Sequence, residues 1–188
     1  LIAEHLLREF PGATILYDLR SSRAVREAIE RAHGRGVRSR VGHAFIKAAM
    51  RGEGALFAGE LSGHYYYRDV GFADNGLLTL VMVANILAAS GRTLSELVKP
   101  LDRYPSTGEI NLAVSDPAAV LAVLAARYRD ADLDRLDGLT ATYPDWWFNI
   151  RPSHTEPVVR LNIEADTRSL LDEKEKEVLA AIREAEGA

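Results

Sequence analysis

Apolar positions along this chain switch repeatedly between a helical and a strand period. Residues 1–10 place apolar side chains at 1, 2, 6, 7 and 10, one helix face, and Pro11-Gly12 stop it. A β-type run follows over 13–19. The spacing then predicts a helix over 22–35, with Ser21 or Ser22 as N-cap and Gly34 and Gly36 near its end. Residues 37–41 read as a short strand and 43–51 as a helix with Phe45, Ile46, Ala49 and Met50 on its apolar side. Next come a buried strand over 55–58, a polar turn over 59–64 and the triplet Tyr65-Tyr66-Tyr67. Asp74 is expected to open a long apolar helix over 76–89, ended by Ser90-Gly91. Strands alternating with helices predict an α/β domain, a mixed sheet with helices on both faces.

The pattern changes around Lys99-Pro100-Leu101-Asp102-Arg103-Tyr104-Pro105, the best linker candidate, so residues 1–103 and 104–188 are expected to be separate domains. The second, smaller one reads as α+β with an antiparallel sheet. It has a strand over 109–114, a helix over 118–129 and a hairpin turning at Asp137-Gly138 between 133–136 and 139–143. Two more strands flank the polar run 151–157, and a charged amphipathic helix covers 169–185.

Composition removes several function classes. The net charge of −4 disfavours a general nucleic-acid or anionic-membrane surface, so any bound anion needs local clustering of positive groups. No cysteine is present, which excludes disulfides and thiolate metal sites. No apolar run approaches the roughly 20 residues a spanning helix needs. Glu4 interrupts the apolar start, so no targeting segment is expected and the location is read as cytoplasmic. The chain does not begin with Met, which points to a piece of something longer.

Candidate chemistry concentrates in two runs. Arg151-Pro152-Ser153-His154-Thr155-Glu156-Pro157 reads as a loop dense in phosphate donors: an arginine fork, two hydroxyls and an imidazole. The competing reading is a capping box, Ser153 and Glu156 having the S-x-x-E spacing, although 158–164 alternates in part like a strand. In Gly59-Glu60-Leu61-Ser62-Gly63-His64, a carboxylate, a hydroxyl and an imidazole are suited to holding sugar hydroxyls and moving a proton. The competing reading is a tight turn with solvated side chains. His43 starts a helix with Lys47 one turn on, an acid/base group or merely a cap. Arg20 follows the first strand, where α/β proteins place ligand groups, or is an ordinary surface arginine. Trp146-Trp147 and the tyrosines read as core and strand packing rather than a stacking platform.

Gly42-His43-Ala44-Phe45-Ile46-Lys47, then Gly59 to His64, then Arg151 to Pro157 stand in order and at suitable spacing. In that combination the chain resembles the α-D-phosphohexomutase superfamily over essentially its whole length, most nearly the bacterial phosphomannomutase/phosphoglucomutase branch. The resemblance implies four domains around a deep cleft in a full-length member. This chain is similar to the last two, a sugar-recognition domain and a C-terminal phosphate-binding domain. It implies that Glu60, Ser62 and His64 meet the sugar and that Arg151, Ser153, His154 and Thr155 grip the phosphate that is not reacting. His43 and His64 become the acid/base candidates and Arg20 a basic cleft residue, while Lys47 matches without a catalytic role.

Two departures stand out. The family more often has Asn where this chain has His154, which would make phosphate affinity pH-dependent. The chain also contains no serine loop of the T-A-S-H-N-P kind and no acidic D-G-D-G/A-D-R motif. The phosphoserine and the Mg²⁺ site are therefore implied for the missing N-terminal domains, with no metal site in this chain. The implied reaction is interconversion of hexose 1-phosphate and hexose 6-phosphate, with glucose 1,6-bisphosphate as activator and intermediate. On that reading this piece alone is inactive. Its partners are the phosphorylated hexose and the missing domains, with neither nucleic acid nor membrane. The rival readings are a non-catalytic phosphosugar-binding or regulatory protein, and a phosphoglucosamine mutase.

Overall fold

The structure is a computed structural model and describes residues 1–153, 156 and 158–186. It divides into two compact units, Leu1–Arg103 and Tyr104–Ala188.

The first unit runs α1 (Ile2–Glu9), β1 (Thr14–Asp18), α2 (Arg23–Arg31), β2 (Arg35–Ser39), α3 (His43–Glu53), β3 (Phe57–Gly59), β4 (Tyr65–Tyr67), a short 3-10 turn at Arg68–Val70, β5 (Ala73–Asp74), α4 (Gly76–Ser90) and α5 (Leu94–Val98). Its sheet has the order β2-β1-β3-β4-β5. β1 is parallel to both β2 and β3, while β4 and β5 return antiparallel, so the sheet is mixed. Side chains alternate across β1 and select the layers. Ile15 and Tyr17 pack with Leu6 and Leu7 of α1, Ile29 of α2 and Ile86 of α4. Leu16 faces the other way, against Ile46 and Met50 of α3. Helices therefore cover both faces. Because β1, β2 and β3 run parallel, the segments after them leave the same end of the sheet, carrying Arg20, His43 and Glu60 respectively.

Three local expectations are corrected. The helix expected over 22–35 ends at Arg31, and Gly36 lies inside β2, which spans Arg35–Ser39 rather than 37–41. Ala32 caps the helix and His33 takes a left-handed φ of 59°. A Cβ at Gly34 would then sit 2.5 Å from Leu7 Cδ1, so the turn packs closely against α1. Asp74 does not open α4. Asn75 does, its side chain accepting the Leu78 N–H at 2.9 Å. α4 is apolar all round, yet only Ile86 is fully buried and Leu77, Leu80 and Val81 are exposed.

The second unit contains β6 (Ser106–Ala113), α6 (Pro117–Arg127), β7 (Asp132–Asp134), β8 (Leu139–Thr142), β9 (Trp146–Pro152), β10 (Val158–Ala165) and α7 (Arg168–Glu186). The five strands are antiparallel in the order β6-β10-β9-β8-β7. Period-2 alternation separates two unlike faces. Trp146, Phe148 and Ile150 of β9, with Val159, Leu161 and Ile163 of β10, meet Val120 and Leu124 of α6 and Val178 and Ile182 of α7. The residues between them, Trp147, Asn149 and Arg151 on β9 and Arg160, Asn162 and Glu164 on β10, make the other face polar. Some of its buried polar atoms find partners within the unit, while Asn149 Oδ1 and Asn162 Oδ1 find none among the described residues. Asn149 donates to Thr140 Oγ1 at 3.0 Å and to the Asp137 carbonyl at 3.0 Å, and Trp147 Nε1 donates to Glu164 at 2.9 Å.

Candidate functional site

Each unit carries one cluster of the sequence-predicted residues. In the first unit it is built on the turn from Glu60 to His64. Glu60 N–H donates to the His64 carbonyl at 2.9 Å and Gly63 N–H to the Glu60 carbonyl at 3.0 Å. Gly63 has φ +84°, a conformation that favours glycine. The turn is anchored from behind by Asp18, the last residue of β1, whose side chain is fully buried. Asp18 accepts the Leu61 N–H at 2.9 Å, the Arg20 N–H at 2.8 Å and the Arg20 guanidinium at 2.7 Å. Arg20 also stands 3.8 Å from Glu60 Oε2. Glu60 itself is 8% exposed. Tyr66 donates to its Oε1 at 2.5 Å and Ser62 to its Oε2 at 3.3 Å. Burial, then the bond to Glu60, pushes the Tyr66 phenol far above its ordinary value, so it stays protonated and remains a donor.

His64 is exposed, and its Nδ1 lies 2.8 Å from Asp74 Oδ2. The hydrogen bond to Asp74, then the Asp74 charge, raises the imidazole above its ordinary value. Asp74 also accepts the Tyr65 N–H at 2.9 Å. Desolvation pushes this carboxyl up, but the bonds from His64, Tyr65 and Asn75 outweigh it and hold it below the usual carboxylate range. Glu60, Ser62 and His64 thus belong to one hydrogen-bonded turn, with Arg20 held beside it by Asp18. His43 stands exposed as the first residue of α3, behind Gly42 with φ 118°. It shares the strand-end edge of the sheet with that turn, without being built into it. Sequence reasoning missed Asp18, Tyr66 and Asp74. The local signal for Asp18 was a carboxylate at the C-terminal end of a buried strand.

In the second unit the expected loop position of Arg151 is corrected. Arg151 lies on β9, buried, directly opposite Arg160 of β10. The alternating apolar residues carry the strand through 151, and Ser153 N–H closes the hairpin onto the Val158 carbonyl at 2.9 Å. Strand β10 begins at Val158, so the described residues offer no helix for Ser153 and Glu156 to cap, and the capping-box reading falls. Two guanidiniums opposite one another repel, and Glu109 of β6 relieves this by bridging them. Its carboxylate accepts from Arg151 at 2.7 Å and from Arg160 at 3.2 Å. Arg160 also reaches Ser153 Oγ at 3.3 Å and Glu156 at 3.0 Å. The buried Nε–H groups of both arginines find no acceptor among the described residues. Arg151 and Ser153 therefore share a donor-rich strand end, with Arg160 and Glu109 added by the structure. His154 and Thr155 lie outside the described residues. Among the described residues no group of three or more His, Cys, Asp or Glu is placed to hold a metal ion, and no helix is long and apolar enough to cross a membrane.

Residues 1–104 match the family description "Phosphoglucomutase/phosphomannomutase, alpha/beta/alpha domain III", and residues 109–181 match "Phosphoglucomutase/phosphomannomutase, C-terminal domain". The chain belongs to the phosphoglucomutase/phosphomannomutase family, of which it carries the third and C-terminal domains. It is 42% identical over 178 residues to a phosphomannomutase of Methanocaldococcus jannaschii, covering 95% of this chain and 40% of that protein. A solved phosphoglucomutase/phosphomannomutase family protein of Burkholderia thailandensis superposes with TM-score 0.81 at 32% identity, over 97% of this chain and 40% of the other. The chain thus spans about 40% of the length of the relatives it matches. An Aspergillus fumigatus N-acetylphosphoglucosamine mutase, solved with glucose 1,6-bisphosphate and, separately, with GlcNAc-6P and magnesium, shares the fold. Its TM-scores are 0.69 and 0.66 at 18% and 16% identity, each over 98% of this chain and 42% of that one.

Proposed function

We propose that this chain is the sugar- and phosphate-recognition portion of a cytoplasmic phosphohexomutase that interconverts hexose 1-phosphate and hexose 6-phosphate through a 1,6-bisphosphate. Mannose and glucose phosphates are the proposed substrates. Glu60 and Ser62 take the sugar hydroxyls, with Arg20 behind them. Arg151, Ser153, His154 and Thr155 hold the phosphate that is not reacting. His64 accepts or returns the proton of the reacting hydroxyl, and His43 is the second acid/base candidate. The phosphoserine and Mg²⁺ belong to residues outside this chain. Among the described residues no group of three or more His, Cys, Asp or Glu stands together to hold the ion.

One observation carries the reading: a buried arginine and a partly buried one at a strand end, bridged by a single carboxylate and keeping Nε–H donors with no acceptor among the described residues, in a chain whose other unit sets Glu60, Ser62 and His64 on one turn. A bidentate fork suits phosphate oxygens, and fixed donors cost little reorganisation as charge moves. Such a site also needs to recognise either end of the sugar, for which positioning matters more than covalent chemistry.

The test is a titration of mannose 1-phosphate and glucose 6-phosphate into the 188-residue chain, followed by backbone amide shifts, beside Arg151→Ala. Saturable shifts around 151–153 that disappear in the variant are expected. Equal shifts in both proteins would remove the phosphate role of Arg151. For the reaction, a longer protein carrying this chain, supplied with Mg²⁺ and glucose 1,6-bisphosphate, is expected to interconvert the two monophosphates. Failure with both sugars would overturn the mutase reading.

A further inference from the structure

We propose that Asp74 is a positioning residue for His64, fixing the imidazole with its proton on Nδ1 so that Nε2 is the ring atom offered to the substrate. The structural part stands on geometry alone, and its catalytic consequence rests on the mutase reading above.

Asp74 ends the two-residue strand β5, where its backbone pairs with Tyr66 of β4. Its side chain reaches the head of β4 and uses both oxygens: Oδ1 takes the Tyr65 N–H at 2.9 Å, and Oδ2 meets His64 Nδ1 at 2.8 Å. An ionised carboxylate only accepts, so Nδ1 must carry hydrogen. In the neutral ring the lone pair then lies on Nε2. The residue beside Asp74 excludes the dull explanation that this carboxylate is a helix cap. Asn75 already caps α4 through the Leu78 N–H, which leaves Asp74 to the turn. The charged groups that face the ring are Asp74 on β5 and Glu60 at the start of the turn, and both raise its proton affinity. A carboxylate bonded to the inner nitrogen of a proton-transferring histidine is a known way of setting tautomer and orientation together. Here the proton of an attacking sugar hydroxyl would pass to Nε2 as its oxygen bonds phosphorus and the bond from phosphorus to the donor serine oxygen breaks, and it would return from Nε2 to the sugar oxygen when that O–P bond breaks in the reverse step.

Asp74→Asn separates the electronic role from the structural one. Tyr65 N–H still needs an acceptor, so the amide oxygen stays there and the NH₂ faces His64. Nδ1 must then become the acceptor and Nε2 the protonated atom. Ring nitrogen shifts of His64, followed by ¹⁵N NMR against pH in the 188-residue chain, report this directly. In the wild type the neutral ring is expected as the Nδ1–H form. In Asp74→Asn the Nε2–H form is expected, with the titration midpoint lower by about one pH unit. A wild-type ring protonated on Nε2 overturns the proposal without any variant, and so does a variant that keeps the wild-type tautomer and midpoint.

In a longer, active protein, Asp74→Asn is expected to lower kcat by about 100-fold or more with little change in KM, as loss of the correct tautomer does elsewhere. Asp74→Glu should recover part of the rate and the wild-type pH profile. Loss of rate with an unchanged profile and no recovery in Glu would make the residue structural only. A wild-type protein inactive on both sugar phosphates sinks the mutase reading, while the tautomer result still decides the geometry.

Discussion

The turn at Glu60–His64 and the strand end at Arg151 solve opposite problems. The turn is short of hydrogen-bonding structure of its own, so it is held by side chains from elsewhere: Asp18 on β1, Tyr66 on β4 and Asp74 on β5. It presents carboxylate, hydroxyl and imidazole, groups that accept or relay protons. The strand end needs no such scaffolding, because the ladder to β10 fixes its backbone. Its problem is charge, two guanidiniums face to face, and one carboxylate from β6 answers it. Where backbone is irregular, buried side chains must supply the geometry. Where backbone is regular, side chains are left to supply the electrostatics.

The comparison breaks most visibly at Asp18. Asp18→Ala strips the acceptor from two backbone N–H groups and from the Arg20 guanidinium. Breaking such a buried pair costs about 3–5 kcal/mol, to be measured as a lowered urea midpoint. On the strand side the weak point is steric. A Cβ at Gly138, where φ is +75°, would meet the Ile150 carbonyl at 2.2 Å and Arg151 Cα at 2.7 Å. Gly138→Ala is expected to cost on the order of 3 kcal/mol and to disturb the β8–β9 amides.

Changing pH sharpens the contrast. The His64 bond to Asp74 raises the imidazole, so its stabilisation is complete below the ordinary 6.5 and fades as pH rises through the higher folded value. Asp74 is held down, so its share is complete above the ordinary 3.8 and fades as pH falls through the lower folded value. A plateau between those limits, flattened in Asp74→Asn, is expected in denaturation midpoints against pH. The smallest effect belongs to a position that serves neither cluster. Leu80→Gln on the exposed face of α4 should change stability by no more than about 0.5 kcal/mol in the same assay.

Local pattern made the strands and helices readable, since each strand's alternation names its core face and each helix its stripe. The polar triplet Glu60/Ser62/His64 and the pair Arg151/Ser153 were readable as chemistry for the same reason: their members sit within a few residues of one another. Their partners were not. Asp18 acts on Leu61 across 43 positions and Glu109 on Arg151 across 42, and only sheet pairing brings such residues together. Asp74 and Asn75 show a finer limit. Both are good N-caps, and which one serves the helix depends on where β5 aims the other, a fact fixed by the strand register rather than by either side chain.

Gly138 bears on how mutational maps of this chain should be read. In a saturation library scored for growth or activity, its column would be as blank as that of a reacting group, although it offers no side chain to any ligand. Its intolerance would come from backbone pressed against the strand that carries Arg151. Scores at 138 and 151 would fall together for unrelated reasons, one through lost shape and the other through lost charge. Only a readout of folding taken beside the readout of activity would tell the two columns apart.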